Sequence, residues 1–152
     1  QLGGDGPPST NECQVAELGD GVVMLNMRDF SGRGLRRQAT SSDGGMNFTD
    51  LGHHNALIEP HPAGCQASII SARRRHALLF TGASDPHRGR RHLKLRWSMD
   101  GGATWPFEMS IYPGPAAYSC LEIIGREDSD VAVLFEAGAE RSDPYGSVQF
   151  WR

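Results

Sequence analysis

Four segments hold side chains whose types can do chemistry. Asn11-Glu12-Cys13-Gln14 is followed by Leu25-Asn26-Met27-Arg28. Further on come His92-Leu93-Lys94-Leu95-Arg96-Trp97-Ser98, Tyr112-Pro113-Gly114-Pro115-Ala116-Ala117-Tyr118-Ser119 and Val133-Leu134-Phe135-Glu136. An arginine is planar and always charged, and it grips a carboxylate through two parallel hydrogen bonds. A tyrosine hydroxyl, with its ordinary pKa near ~10, attacks carbon only when a base draws off its proton. A carboxylate can be that base. Taken singly, each residue also has an ordinary reading: a surface strand arginine, a buried tyrosine with a satisfied hydroxyl, an exposed loop carboxylate.

Other chemistries find less support. Three cysteines, Cys13, Cys65 and Cys120, stand far apart in odd number. They make neither a disulfide framework nor a CxxC metal site, and at least one buried free thiol is expected. His53 and His54 are adjacent, so in an extended chain they point to opposite faces and cannot chelate together. Neither a metal nor any other cofactor is expected. A net charge of -3 and a pI near 6.1 do not suggest a nucleic-acid or membrane-surface partner. No apolar run approaches the ~18 residues of a membrane-crossing helix. Asn47-Phe48-Thr49 is an N-glycosylation triplet of little weight by itself. The arginine clusters Arg36-Arg37, Arg73-Arg74-Arg75, Arg88 and Arg90-Arg91 read as solvated loops.

The elements that must position these residues are short. Nineteen glycines and nine prolines cut the 152 residues into brief segments with no long helical stretch. Strands are expected at Val22–Arg28, Leu35–Ser41, Gln66–Ser71, Ala77–Thr81, Leu93–Ser98, Phe107–Tyr112, Ser119–Ile124, Val131–Glu136 and Ser147–Trp151. Many short strands between turns suggest a sandwich, a barrel or a propeller. A repeat favours the propeller. Ser41-x-Asp43-Gly44-Gly45-x-x-Phe48 recurs as Ser98-x-Asp100-Gly101-Gly102-x-x-Trp105, 57 residues later. Asp-Gly-Gly makes a tight hairpin that needs positive φ, and the Asp can accept hydrogen bonds from the turn's own backbone. The closing aromatic packs under it. This is the Asp-box, or BNR repeat.

Together, the boxes and the four segments, in this order, resemble the exo-α-sialidase family from about Asn11 to the C-terminus. The resemblance implies an all-β fold: a partial six-bladed propeller of about three blades, each a four-stranded antiparallel sheet with Asp-box hairpins. Residues 1-152 would be the C-terminal half of the propeller domain, with 1-10 a loop at a cut end. It implies a retaining glycoside hydrolase acting on sialylated glycoproteins, glycolipids or oligosaccharides, in a lysosomal or secreted setting. Tyr118 then matches the nucleophile and Glu12 its base. A phenol suits this substrate because a carboxylate nucleophile would be repelled by the carboxylate on the reacting carbon. Arg28 and Arg96 match two of three arginines that hold the substrate carboxylate. Glu136 matches a residue that orients the first of those arginines. Trp97, Trp105 and Trp151 are expected to pack between blades. The first arginine and the acid/base aspartate precede the NECQ segment in the family, and Asp5 lacks their motif. The chain alone is therefore expected to be inactive, with the N-terminal half of the propeller as its missing partner. Two other readings remain: a non-catalytic propeller that binds sialylated glycans, and an Asp-box scaffold without carbohydrate function.

Overall fold

The computed structural model describes residues 9–126, 129–139 and 143–152. Among the described residues, ten strands carry the fold: β1 (Thr10–Gly19), β2 (Val22–Asp29), β3 (Leu35–Ser41), β4 (Thr49–Ile58), β5 (Ser68–Ala72), β6 (Ala77–Ala83), β7 (Arg91–Ser98), β8 (Phe107–Ile124), β9 (Asp130–Ala137) and β10 (Ser147–Trp151). The first four form one antiparallel sheet in the order β1-β2-β3-β4. The rest form a ladder in the order β10-β9-β8-β7-β6-β5. Within it, the first part of β8 pairs with β7, and the part after Pro115 pairs with β9. One strand thus closes the second blade and opens the third.

β8 runs unbroken where two separate strands were expected, because Pro113-Gly114-Pro115 stays extended and carries the chain from one blade to the next. β1 and β4 were not anticipated. β1 is rich in polar residues, and β4 holds Gly52, Asp50 and Asn55, which are poor strand formers. Pairing decides their state: β1 pairs with β2, and β4 pairs at the edge with two irregularities in register. Of the loop expected at 1-10, residues 1-8 lie outside the described residues, and Thr10 lies in β1.

The inner strands are tied by side chains rather than by a ladder. Gln14 Oε1 accepts the Ile69 N–H at 2.9 Å. Ser68 Oγ accepts the Leu121 N–H at 2.9 Å, and Gln66 Oε1 accepts the Ser119 N–H at 2.9 Å. These bonds satisfy strand edges that splay apart around an axis. Outside them, apolar side chains fill the wedges between sheets. Met24, Leu57, Ile69, Leu78, Phe80 and Trp105 make one cluster. Leu79, Leu93, Leu95, Leu121, Val133 and Phe135 make the other, with Trp97 and Trp151 against it.

Both Asp-boxes sit between the third and fourth strands of their sheets. Ser41 Oγ donates to Asp43 Oδ1 at 2.7 Å, and Ser98 Oγ donates to Asp100 Oδ1 at 2.7 Å. The same carboxylate oxygens accept the backbone N–H of Asn47 and of Thr104, each at 2.9 Å. Gly102 has φ +89, where a side chain would be strained, and a Cβ there would press on Met24 Cε at 2.7 Å. These hydrogen bonds, led by those from Ser41 and Ser98, hold both aspartates down at about 2. A folded value below the unfolded one of 3.8 means stability that is present above ~pH 4 and lost as pH falls toward 2. Thermal melts at pH 5 and pH 2.5 should therefore show a marked drop, and the Asp43→Asn/Asp100→Asn variant a smaller one. An undiminished drop in that variant would contradict this role.

Candidate active site

Two irregularities in the sheets build the site. β1 shifts register between Asn11 and Gln14, and Glu12 sits in that bulge with φ +40. A bulge re-aims a side chain, and a left-handed glutamate is a strained residue of the kind found where a carboxylate must face a fixed point. β8 shifts register between Ala116 and Ser119, and Tyr118 stands there. The two bulges turn these side chains toward one another. The Tyr118 hydroxyl donates a short hydrogen bond to Glu12 Oε1 across 106 positions of sequence. The other carboxylate oxygen, Oε2, accepts from Arg28 Nη1 at 2.6 Å. Arg28 Nε donates to the Ala63 carbonyl at 2.9 Å. Its Nη2 has no protein partner among the described residues.

The electrostatics are graded. Burial pushes the Glu12 carboxyl up, but the hydrogen bonds from Tyr118 and Arg28 outweigh it and hold Glu12 below its ordinary value. The hydrogen bond to Glu12, and then burial, push the Tyr118 phenol above its ordinary value. At neutral pH the pair therefore rests as carboxylate and phenol. The proton stays on Tyr118 until something at its oxygen lowers the cost of moving it.

Arg28 is held from behind. Its neighbour Asp29 accepts from His53 and from the Ser31 N–H at 2.7 Å. The Asp29 N–H donates to Glu59 Oε2 at 3.1 Å, and Glu59 Oε1 accepts from Arg36 Nη1 at 2.5 Å. Arg36 also donates to Asn26 Oδ1 at 2.7 Å and to the Cys65 carbonyl at 2.8 Å. Arg36 is thus buried on β3 and not in a solvated loop, because a carboxylate and a carbonyl meet it there. Burial pushes Glu59 up to about 7 against the pull of Arg36. Gly64 closes this support: a Cβ there would stand 2.4 Å from Glu59 Oε2. The Cys65 thiol is buried and free, and burial raises it to about 11. His53 and His54 take different partners, the latter the Ala103 carbonyl at 3.2 Å.

Arg96 is not brought to this cluster. It lies buried in β7 beside Phe80 and Glu108, and its Nε donates to Glu108 Oε2 at 3.1 Å. Arg90, just ahead of β7, is brought there instead. Its guanidinium lies over the Tyr118 ring, 5.5 Å from the centroid, and its carbonyl accepts the Ala116 N–H at 3.0 Å. The two arginines stand six positions apart in the sequence. The bulge at His92, φ +59, is what turns the chain so that Arg90 faces Tyr118. The available signal was position: Arg90 lies in a loop at a strand end, where binding residues concentrate, whereas Arg96 lies within β7 on the face opposite Leu93 and Leu95. Glu136 accepts the Tyr118 backbone N–H at 3.1 Å, across the bulge of β8.

Against known proteins, a family model described as "BNR repeat-like domain" matches residues 4–133. The chain is 34% identical over 137 residues to a sialidase of Bacteroides fragilis, covering 85% of this chain and 24% of that one. It is 34% identical over 155 residues to Sialidase-2 of Rattus norvegicus, covering 91% and 40%. The solved structure of Hadza microbial sialidase Hz136 superposes with a TM-score of 0.70 at 38% identity, covering 84% of this chain and 25% of that one. The chain thus spans about a quarter to two fifths of the length of these relatives.

Proposed function

Since the chain belongs to the BNR repeat-like domain family and is a partial sialidase domain, we propose that it carries the nucleophile, the base and two carboxylate clamps of a retaining exo-α-sialidase. The observation that carries this reading is Glu12 joining the Tyr118 hydroxyl on one oxygen and Arg28 on the other. A module that only binds glycans has no use for a carboxylate set against a phenol. Arg28 and Arg90 hold the substrate carboxylate and bring the anomeric carbon to the Tyr118 oxygen. As the Oη–carbon bond forms, the phenolic proton passes to Glu12 Oε1 and the glycosidic carbon–oxygen bond breaks. The leaving oxygen takes its proton from an acid supplied outside residues 1-152. Water then attacks the same carbon and gives up a proton to the conjugate base of that acid, while the Oη–carbon bond breaks and Glu12 returns its proton to Tyr118. Substrates are sialylated glycoproteins, glycolipids or oligosaccharides. Residues 1-152 act as the C-terminal half of the propeller domain.

In this reading Arg90 takes the clamp role that motif position gives to Arg96. Glu136 fixes the backbone of the nucleophile. Arg90→Met should weaken binding of a 2,3-unsaturated sialic acid analogue by ~10- to 100-fold, as expected for a charged hydrogen bond. Arg96→Met should change the melting temperature only modestly, because the half-exposed Glu108 keeps Lys94 Nζ at 2.6 Å, and should leave the affinity of the folded protein within about threefold. Titration calorimetry beside thermal melts reads both. The reverse pattern, affinity lost at Arg96 and kept at Arg90, would return the role to Arg96.

A further inference from the structure

One aromatic side chain at the site has no part in this scheme. Tyr145 lies on the connection between β9 and β10, and its hydroxyl accepts a short hydrogen bond from Arg90 Nη1. The described residues on either side of it are tied down. Gly138 donates its N–H to the Pro115 carbonyl at 2.9 Å, and its own carbonyl accepts from the Tyr112 hydroxyl at 2.8 Å. A Cβ on Gly138 would lie 1.5 Å from the Asp143 carbonyl oxygen, so only glycine lets the chain approach itself there. Asp143 Oδ1 in turn accepts the Tyr145 N–H at 2.9 Å.

We propose that Tyr145 is a positioning residue, holding the Arg90 guanidinium over the Tyr118 ring and aiming it at the carboxylate of an incoming acidic sugar. The identity of that sugar rests on the function proposed above; the positioning does not. The two arginines of the site are held in different ways. Arg28 is paired with the Glu12 carboxylate, so much of its charge is already answered. Arg90 is held by a neutral phenol on one side and a ring face on the other, and no carboxylate hydrogen-bonds to it among the described residues. A neutral acceptor fixes the fork without cancelling its charge. The charge therefore remains for an anionic ligand, while the rotamer freedom of a long side chain is already spent. Tyrosine suits this task because it has only two side-chain torsions to fix.

The test is Tyr145→Phe, which removes the hydroxyl and keeps the ring. Three readouts are taken on the 152-residue chain. The Arg90 side-chain Nε–H resonance should move and broaden by NMR, a readout that needs no ligand. Affinity for the 2,3-unsaturated sialic acid analogue should fall by roughly 3- to 10-fold, the size of one neutral hydrogen bond, while affinity for its methyl ester stays unchanged. In an Arg90→Ala background the same substitution should have no further effect on binding, because the two act as a unit. An unmoved Arg90 resonance, or equal losses for acid and ester, would overturn the proposal. An analogue that fails to bind the unaltered chain counts against the proposed function, and the resonance then decides the positioning alone.

Discussion

Replacing Tyr118 by phenylalanine should abolish sialoside hydrolysis and nearly spare binding. The measurement is made on the chain joined to the upstream half that the proposed propeller requires. Turnover of a fluorogenic sialoside should fall by about 10³-fold or more, since the variant has no oxygen with which to attack and Glu12 has no proton to draw. The affinity for the unsaturated analogue should change by less than about threefold. Arg28 and Arg90 remain, and the phenylalanine ring still lies beneath the Arg90 guanidinium. An interaction made only in the transition state is lost from turnover and not from ground-state binding. A variant that keeps a tenth of its activity would mean that another group attacks the sugar.

The second large effect concerns the chain on its own. Residues 1-152 alone should hydrolyse a sialoside with a poor leaving group at least ~10²-fold more slowly than when joined to the upstream half. General acid catalysis is worth about 10²–10⁴-fold. A further guanidinium at the carboxylate would contribute roughly 1.5–3 kcal/mol to binding. The open sheet adds to this. Leu134, Val148 and Phe150 on β9 and β10 are 50%, 66% and 63% exposed, on a face that a neighbouring blade would cover. A site whose walls end in an uncovered sheet is held less firmly, and small displacements of reacting groups are costly. Equal rates for the two forms would place the acid within residues 1-152.

Much of this was legible in the sequence because turns and repeats are local. Ser41-x-Asp43-Gly44-Gly45 and its second copy carry their own hydrogen bonds and their own positive φ, so spacing alone located two hairpins. Alternation located β7, where Leu93 and Leu95 face one cluster and Arg96 the other side. The strands that escaped notice, β1 and β4, owe their state to pairing partners far along the chain, which no local preference reports. The same distinction explains Arg90. The role proposed for it depends on a bulge at His92 and on Tyr118, 28 residues away. Motif position favoured Arg96, whose neighbours in the sheet, Phe80 and Glu108, turn it into a support between strands. Arg36 was obscured for a similar reason: its partner Glu59 lies 23 residues on, beyond the outer strand of its sheet.

The central claim is that Glu12 and Tyr118 form a base and nucleophile, and chemical trapping tests it most directly. A 2,3-difluorinated sialosyl fluoride needs no acid to expel its leaving group, and its second fluorine slows release of the sugar from the enzyme. The chain is incubated with it, digested and examined by mass spectrometry. The account predicts one added sialosyl group, on the peptide that contains Tyr118 and on the tyrosine itself, with labelling much slowed in Glu12→Gln. A label on Glu12 or any residue other than Tyr118, or labelling of Tyr118 at the same rate in Glu12→Gln, would contradict it.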